Sequence, residues 1–313
     1  MLRRIATWDG LGRLLLNGND FGDFMDQKEL GKTGEKIPVV GMGSWELSRN
    51  AAESVAALKH GLGLGIRFID TAEMYGTEGV VGEAIRGEKD VFIATKVWPD
   101  HFSHDAVIKA CNDSLKRLAV KTVDLYQLHW PNYNISIKET MSAMEELQKQ
   151  GKIRHIGVSN FSIREFEVAQ SVLKNSEIVS NQIEFSPIVR EFEDEFVDYA
   201  RKNGITVIAY SPLGHGALFK AENGELMALL NEIGRKYGKS ATQVALRWVV
   251  SKDRVVAIPK ANRIEHMDEN FGALEFKLDK EDIRKIDDKS MEFQQPPIAF
   301  RIKQRDSGRE LRI

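Results

Sequence analysis

Eight short apolar runs, separated by stretches of helical periodicity, constrain this chain more than any other feature. They are Val39–Met42, Ile66–Ile69, Val91–Thr95, Val123–Leu128, Ile153–Val158, Val179–Ile183, Thr206–Tyr210 and Val255–Ile258. Each is rich in Val, Ile or Phe and short enough for a strand buried on both faces. Between them, Asn50 with Glu53, Ser136 with Glu139, Ser162 with Glu165 and Ser240 with Gln243 stand at capping-box spacing. Apolar stripes follow: Ile108, Cys111, Leu115 and Leu118 behind Ser103; Phe166, Ala169 and Leu173 behind Ser162; Val244, Trp248 and Val249 behind Ser240. Strict alternation of strand and helix requires a parallel sheet. Eight units favour closure, so the expected fold is α/β, a (β/α)8 TIM barrel. An open doubly wound sheet that binds a dinucleotide would carry G-x-G-x-x-G after its first strand. Here Gly41-Met42-Gly43-Ser44-Trp45-Glu46 lacks the third glycine.

The length of 313 residues suits one barrel of about 250 residues with extensions. Lys28–Leu30 and Lys36–Pro38, joined by Gly31-Lys32-Thr33-Gly34-Glu35, read as a hairpin that closes the barrel floor. Residues 1–24 mix Arg3, Arg4 and Arg13 with Asp9, Asp20 and Asp23 and lack the continuous apolar stretch of a secretory signal. They are expected to be an unordered extension to a single domain over residues 25–313. The stretch after Ser290, with Pro296-Pro297 and several Arg, is expected to be a lid or a solvated tail.

The net charge of -2 and the absence of a basic block with interleaved aromatics argue against a nucleic-acid partner. No apolar run approaches the roughly 18 residues of a membrane span. The single cysteine, Cys111, excludes an intrachain disulfide and fits a reducing compartment, here taken as the cytoplasm. On its helical stripe it reads as a packing residue rather than a nucleophile. His101 and His104 have no third partner at metal-ligand spacing, so no metal is expected.

In such a barrel the chemistry sits at the C-terminal ends of the strands. The second strand ends at Asp70, with Tyr75 in its loop; the third ends at Lys96 and the fourth at His129. A free phenol has a pKa near ~10 and is a poor acid at neutral pH. A neighbouring Lys favours the phenolate and lowers that value, an Asp holds the Lys charged, and a His can donate to a carbonyl oxygen. The set suits protonation of an oxygen that gains negative charge when a hydride attacks a carbonyl carbon. Strands five to eight end at Ser159-Asn160, Gln182, Tyr210-Ser211 and Pro259-Lys260.

The run Asp70-Thr71-Ala72-Glu73-Met74-Tyr75-Gly76-Thr77-Glu78 with Val81-Gly82-Glu83-Ala84 resembles the signature of the aldo-keto reductases, the small soluble aldehyde and ketone reductases in particular. So do Asp124-Leu125-Tyr126-Gln127-Leu128-His129-Trp130-Pro131, Gly157-Val158-Ser159-Asn160-Phe161 and Ile258-Pro259-Lys260-Ala261. The resemblance runs from about residue 27 to 290. It implies an oxidoreductase that reduces small aldehydes, ketones or sugars with NADP(H), NAD(H) being the other possibility. Tyr75 would be the general acid, tuned by Lys96 and Asp70, and His129 would orient the carbonyl. The nicotinamide would stack on Tyr210 and be held by Ser159, Asn160 and Gln182. The pyrophosphate would lie near Ser211, Leu213 and Gly214, and the adenosine end near Lys260, Glu269 and Asn270. Many members carry an Arg six residues after the Lys of the last motif; here His266 stands there and Arg263 comes earlier. Lys260 and Arg263 could meet at a helix N-terminus and favour the 2′-phosphate. Trp45, Trp98 and Trp130 are expected to line the substrate pocket. Two other readings exist: a Schiff-base aldolase acting through Lys96, which leaves Tyr75 and Ser159-Asn160-Gln182 unexplained, and a cofactor-binding regulatory subunit of the same family.

Overall fold

The computed structural model describes residues 26–47, 51–190, 193–295 and 310–313, together with the backbone of residues 7–8 and 14–15, which pair antiparallel. The rest of the expected extension, and Asn50, lie outside the described residues. Eight parallel strands form one sheet in sequence order: β1 (Met42–Gly43), β2 (Phe68–Asp70), β3 (Phe92–Val97), β4 (Val123–Leu128), β5 (Ile153–Ser159), β6 (Ile178–Glu184), β7 (Thr206–Tyr210) and β8 (Val255–Ala257). The described helices are α1 (Ala51–Gly63), α2 (Glu78–Ala84), α3 (His104–Leu118), α4 (Ile137–Lys149), α5 (Ile163–Ser171), α6 (Asp198–Asn203), α7 (Gly224–Tyr237), α8 (Ala241–Ser251), α9 (Ile264–Phe271) and α10 (Lys280–Ser290). None is long and apolar enough to cross a membrane.

The barrel closes where the first strand meets the last. Gly41 N donates to Ala257 O (2.8 Å), Ala257 N to Val39 O (2.8 Å) and Gly43 N to Pro259 O (3.0 Å). This seam explains the glycine run. A Cβ on Gly43 would lie 2.6 Å from the Ile258 carbonyl oxygen, and one on Gly41 would lie 2.6 Å from the Phe68 ring. The two glycines serve backbone approach and packing at the seam.

The floor is sealed by the hairpin Gln27–Glu29 with Lys36–Pro38. Leu30 and Ile37 are fully buried and pack with Phe68, Phe92, Leu125 and Val179 inside the barrel. The Lys28 ammonium donates to the carbonyls of Val250 (2.7 Å), Lys252 (2.6 Å) and Val255 (2.8 Å), so all three of its protons have acceptors.

Strand alternation then sets a vertical gradient inside the barrel. Side chains two residues apart share a face. Phe68 is followed by Asp70, Ala94 by Lys96, Leu125 by Gln127, and Ser180 by Gln182. Apart from Ser180, the lower residues of these pairs are apolar, and the upper ones, at the mouth, are charged or polar.

Outside the barrel, the capping boxes at Ser162 and Ser240 form as expected. The one at Ser136 does not, because the Glu139 carboxylate accepts from the His104 backbone N–H (2.9 Å) instead. Cys111 is buried on the core face of α3, and burial pushes its thiol up to about 12. At the other end of the chain, Gln295 N donates to Ile188 O (2.7 Å) and Ile137 N donates to Arg312 O (2.6 Å). The described ends of the tail thus lie against the loops after β6 and β4, at the mouth side of the barrel.

Candidate active site

Asp70, Tyr75, Lys96 and His129 converge at the mouth. The Lys96 ammonium, with no solvent exposure, donates to Asp70 Oδ1 (2.5 Å), the Thr71 carbonyl (2.9 Å) and Tyr75 Oη (3.3 Å). The other Asp70 oxygen accepts from Gln182 Nε2 (2.8 Å) and Gln127 Nε2 (3.1 Å). Asp70 is thus fixed from three strands and in turn fixes Lys96. Tyr75 Oη lies 3.4 Å from His129 Nε2.

One of the three ionisation shifts opposes a simple expectation. Burial and the Asp70 charge raise the Tyr75 phenol above its ordinary value; Lys96 pulls the other way and does not win. The expectation that Lys96 lowers Tyr75 overall is corrected accordingly: desolvation of a phenolate costs more here than one buried cation returns. Burial, helped by the Lys96 charge, holds His129 well below its ordinary value, so the imidazole is neutral. Lys96 is raised: burial disfavours its charge, but Asp70 and Tyr75 outweigh it. A Schiff-base nucleophile needs an uncharged amine, and Lys96 is a cation shared among three oxygens.

Tyr75 is held by more than these contacts. The turn that carries it runs Glu73–Tyr75, and one Glu73 oxygen accepts from Trp98 N (2.6 Å) and lies 2.9 Å from His101 Nδ1. The loops after β2 and β3 are thereby tied. Trp98 packs edge-on against His129 (5.2 Å between centroids), and Trp45 edge-on against Tyr75 (4.9 Å).

A cleft of about 710 Å³ opens above these groups. Tyr75, His129, Ser159, Asn160, Gln182, Tyr210, Ser211, Leu213 and Lys260 all line it. A recess of about 770 Å³ beside α4 is as large, but Glu145, Glu146 and Lys149 make it a solvated surface without convergent chemistry. On one side of the cleft, Asn160 Nδ2 donates to His129 O (3.1 Å) and Ser159 Oγ (3.0 Å), and Tyr210 Oη donates to Asn160 Oδ1 (3.0 Å). Asn160 takes φ 64°, a left-handed conformation that Asn tolerates better than most residues.

The three tryptophans divide. Trp45 and Trp130 line the cleft, whereas Trp98 stands behind His129 and does not. At the far end, Lys260 and Arg263 do not meet. Lys260 Nζ donates to Glu46 Oε2 (3.1 Å), and Arg263 lies 3.0 Å from His266 Nε2 at the start of α9. Neither Glu269 nor Asn270 lines the cleft: the Glu269 carboxylate accepts from Ser240 Oγ, and Asn270 is buried. Among the described residues, no three His, Cys, Asp or Glu side chains gather as a metal site needs.

Several groups of the site escaped sequence reasoning. Gln127 was legible in principle, lying between Leu125 and His129 on the inward face. Glu46 and His215 were not: Glu46 pairs with Lys260 across the seam, and His215 Nε2 sits 2.8 Å from Ser211 Oγ in its own loop and 3.6 Å from Glu184 Oε1 at the end of β6.

The model of the Aldo/keto reductase family matches residues 39–291. The chain belongs to this family. It is 38% identical over 272 residues to the methylglyoxal reductase of Escherichia coli, a match covering 84% of this chain and 95% of that protein. It is 37% identical to the glyoxal reductase of Bacillus subtilis, over 81% of this chain and 89% of the relative. Among solved structures, a thermostable aldo-keto reductase bound to the inhibitor epalrestat superposes with TM-score 0.80 and 41% identity, covering 85% of this chain and all of that one (100%). A Klebsiella pneumoniae aldo-keto reductase in complex with NADPH gives TM-score 0.78 and 33% identity, over 87% and 97% of the two chains. As an aldo-keto reductase fold, the barrel sets its polar layer where the family's chemistry is expected.

Proposed function

We propose that this aldo-keto reductase reduces small aldehydes and ketones with NADPH, α-oxoaldehydes such as methylglyoxal being the first substrates to test. The observation that carries the proposal is Tyr75 Oη, set 3.3 Å from a buried ammonium and 3.4 Å from a neutral imidazole at the base of an open cleft. The names of the relatives support the substrate class, and the NADPH complex of the Klebsiella protein supports the cofactor.

The residues fit a nicotinamide dinucleotide. Tyr210 offers a ring face, Ser159, Asn160 and Gln182 offer side-chain amide and hydroxyl groups beside it, and Ser211, Leu213, Gly216 and Lys260 continue the lining. Gly214 belongs to the same loop. Arg263 serves the 2′-phosphate in this reading by turning from His266. When bound, a reduced nicotinamide supplies the hydride. Tyr75 gives its proton to the carbonyl oxygen, and its raised value keeps that proton available at neutral pH. The Lys96 charge then stabilises the phenolate that remains. His129 acts through Nε2–H, because Nδ1 is buried without a partner among the described residues, and a bare acceptor there costs less than an unpaired N–H. Trp45 and Trp130 close the apolar side of the pocket. The reaction is assigned to the cytoplasm, consistent with a lone buried thiol.

The test is oxidation of NADPH or NADH, followed at the nicotinamide absorbance, with methylglyoxal, glyoxal and simple sugars. Wild type is expected to turn over with NADPH. Tyr75→Phe should lose about 10²–10⁴-fold in kcat while still binding cofactor. Near-normal turnover of Tyr75→Phe overturns the mechanism, and inactivity of the wild type on every carbonyl overturns the reading.

A further inference from the structure

At one end of the cleft the charge is already spent. The loops leaving β1 and β8 face each other across the barrel seam, and their side chains Glu46 and Lys260 pair at 3.1 Å with 46% and 38% exposure. Both line the cleft. Lys260 is the one Lys or Arg among the described lining residues, while Glu46 is a carboxylate open to solvent at the same place. Glu46 also holds φ 60°, a backbone state that a non-glycine residue keeps only where its surroundings fix it.

A dinucleotide brings phosphate charge into this cleft. The Lys260 ammonium carries a single positive charge on a compact head, and Glu46 already meets part of it. A phosphate entering near it must share the ammonium with Glu46 or draw it away, with the carboxylate's negative charge close by in either case. We propose that Glu46 is an affinity-setting residue whose carboxylate competes with the nucleotide's phosphates for Lys260, weakening the bound state and speeding cofactor release. This rests on the nicotinamide-dinucleotide reading above. Release limits turnover in many well-evolved enzymes, so a built-in competitor favours cycling over tight holding.

An exposed ion pair alters an equilibrium by no more than about fivefold, and the added like-charge repulsion is of the same order. Removing the carboxylate should therefore tighten binding roughly three- to tenfold at low salt. The measurement is quenching of intrinsic tryptophan fluorescence during NADPH titration of the apoprotein, Trp45 being the reporter beside Glu46. Glu46→Gln should bind NADPH more tightly than wild type. The gain should shrink to under about twofold in 0.5 M NaCl, because screening at that salt acts within a few ångströms. Lys260→Gln should bind more weakly than wild type, and Glu46→Gln should gain clearly less in the Lys260→Gln background than alone. Equal or weaker binding by Glu46→Gln overturns the proposal, as does a gain undiminished in the Lys260→Gln background or one that ignores salt. If wild type binds NADPH and Glu46→Gln matches it, only the role of Glu46 falls. If no form binds NADPH or NADH, the dinucleotide reading falls with it.

Discussion

Replacing Asp70 with Asn separates what the buried ion pair does for stability from what it does for chemistry. The Lys96 ammonium has no exposure, Asp70 has 2%, and they are 2.5 Å apart. Removing one partner of such a pair leaves an uncompensated buried charge, at a cost of about 3–5 kcal/mol. The amide cannot repair the loss. Asp70 accepts from Lys96 on one oxygen and from Gln182 and Gln127 on the other. Whichever way Asn is turned, its NH2 faces donors. The cost should thus reach at least the middle of the range, about 4 kcal/mol. With a urea slope of about 3 kcal/mol per M, the unfolding midpoint drops by roughly 1.3 M, read by far-UV circular dichroism. Asp70→Asn combined with Lys96→Met removes the orphan charge and should recover most of that stability while activity stays lost. A single variant that melts within about 0.2 M of wild type, or a double variant no more stable than the single, would refute the account.

Two further outcomes follow from the same geometry. Gly43→Ala places a Cβ against the Ile258 carbonyl at the closing seam, where both sides are backbone; a loss of about 2–3 kcal/mol is expected, and an unchanged melting temperature would show that the seam yields freely. For His129, the folded value lies well below 6.5 because of burial and Lys96, so below pH 6.5 the unfolded chain binds the proton and the folded one does not. Acidification through that window should therefore cost stability, by up to about 1.4 kcal/mol per pH unit, and His129→Gln should remove that part of the slope. Urea midpoints at pH 7 and pH 5 measure it; parallel behaviour of the two proteins would mean that the imidazole titrates normally.

Much of the barrel was legible because its determinants are local. Apolar runs set the strands, and period-two alternation carries Phe68 to Asp70 and Leu125 to Gln127 on the inward face. The convergence of Asp70, Tyr75, Lys96 and His129 follows from placing strand ends side by side. Other features depend on partners far along the chain. Glu139 stands at capping-box spacing from Ser136 but is drawn to the His104 backbone. Lys260 and Arg263 lie three residues apart, yet each finds a nearer partner, Glu46 or His266. Trp98 follows its strand as Trp45 does, but the Glu73 carboxylate on its backbone N–H sets it behind His129. The Tyr75 shift could not be read from neighbours alone, since its sign depends on how much water burial removes.

The floor lysine has a consequence for synthesis on the ribosome. Lys28 reaches carbonyls 222, 224 and 227 residues further along the chain, and β1 finds its seam partner only near Ala257–Lys260. Until those late residues emerge, the nascent sheet has an unpaired edge and an open base. Contacts of such long range are slow to form, and unpaired strand edges expose a growing chain to aggregation. Seven of the eight strands must therefore wait for the last. Closure of the barrel waits on residues 250–260, and the nascent chain is most in need of a chaperone until they emerge.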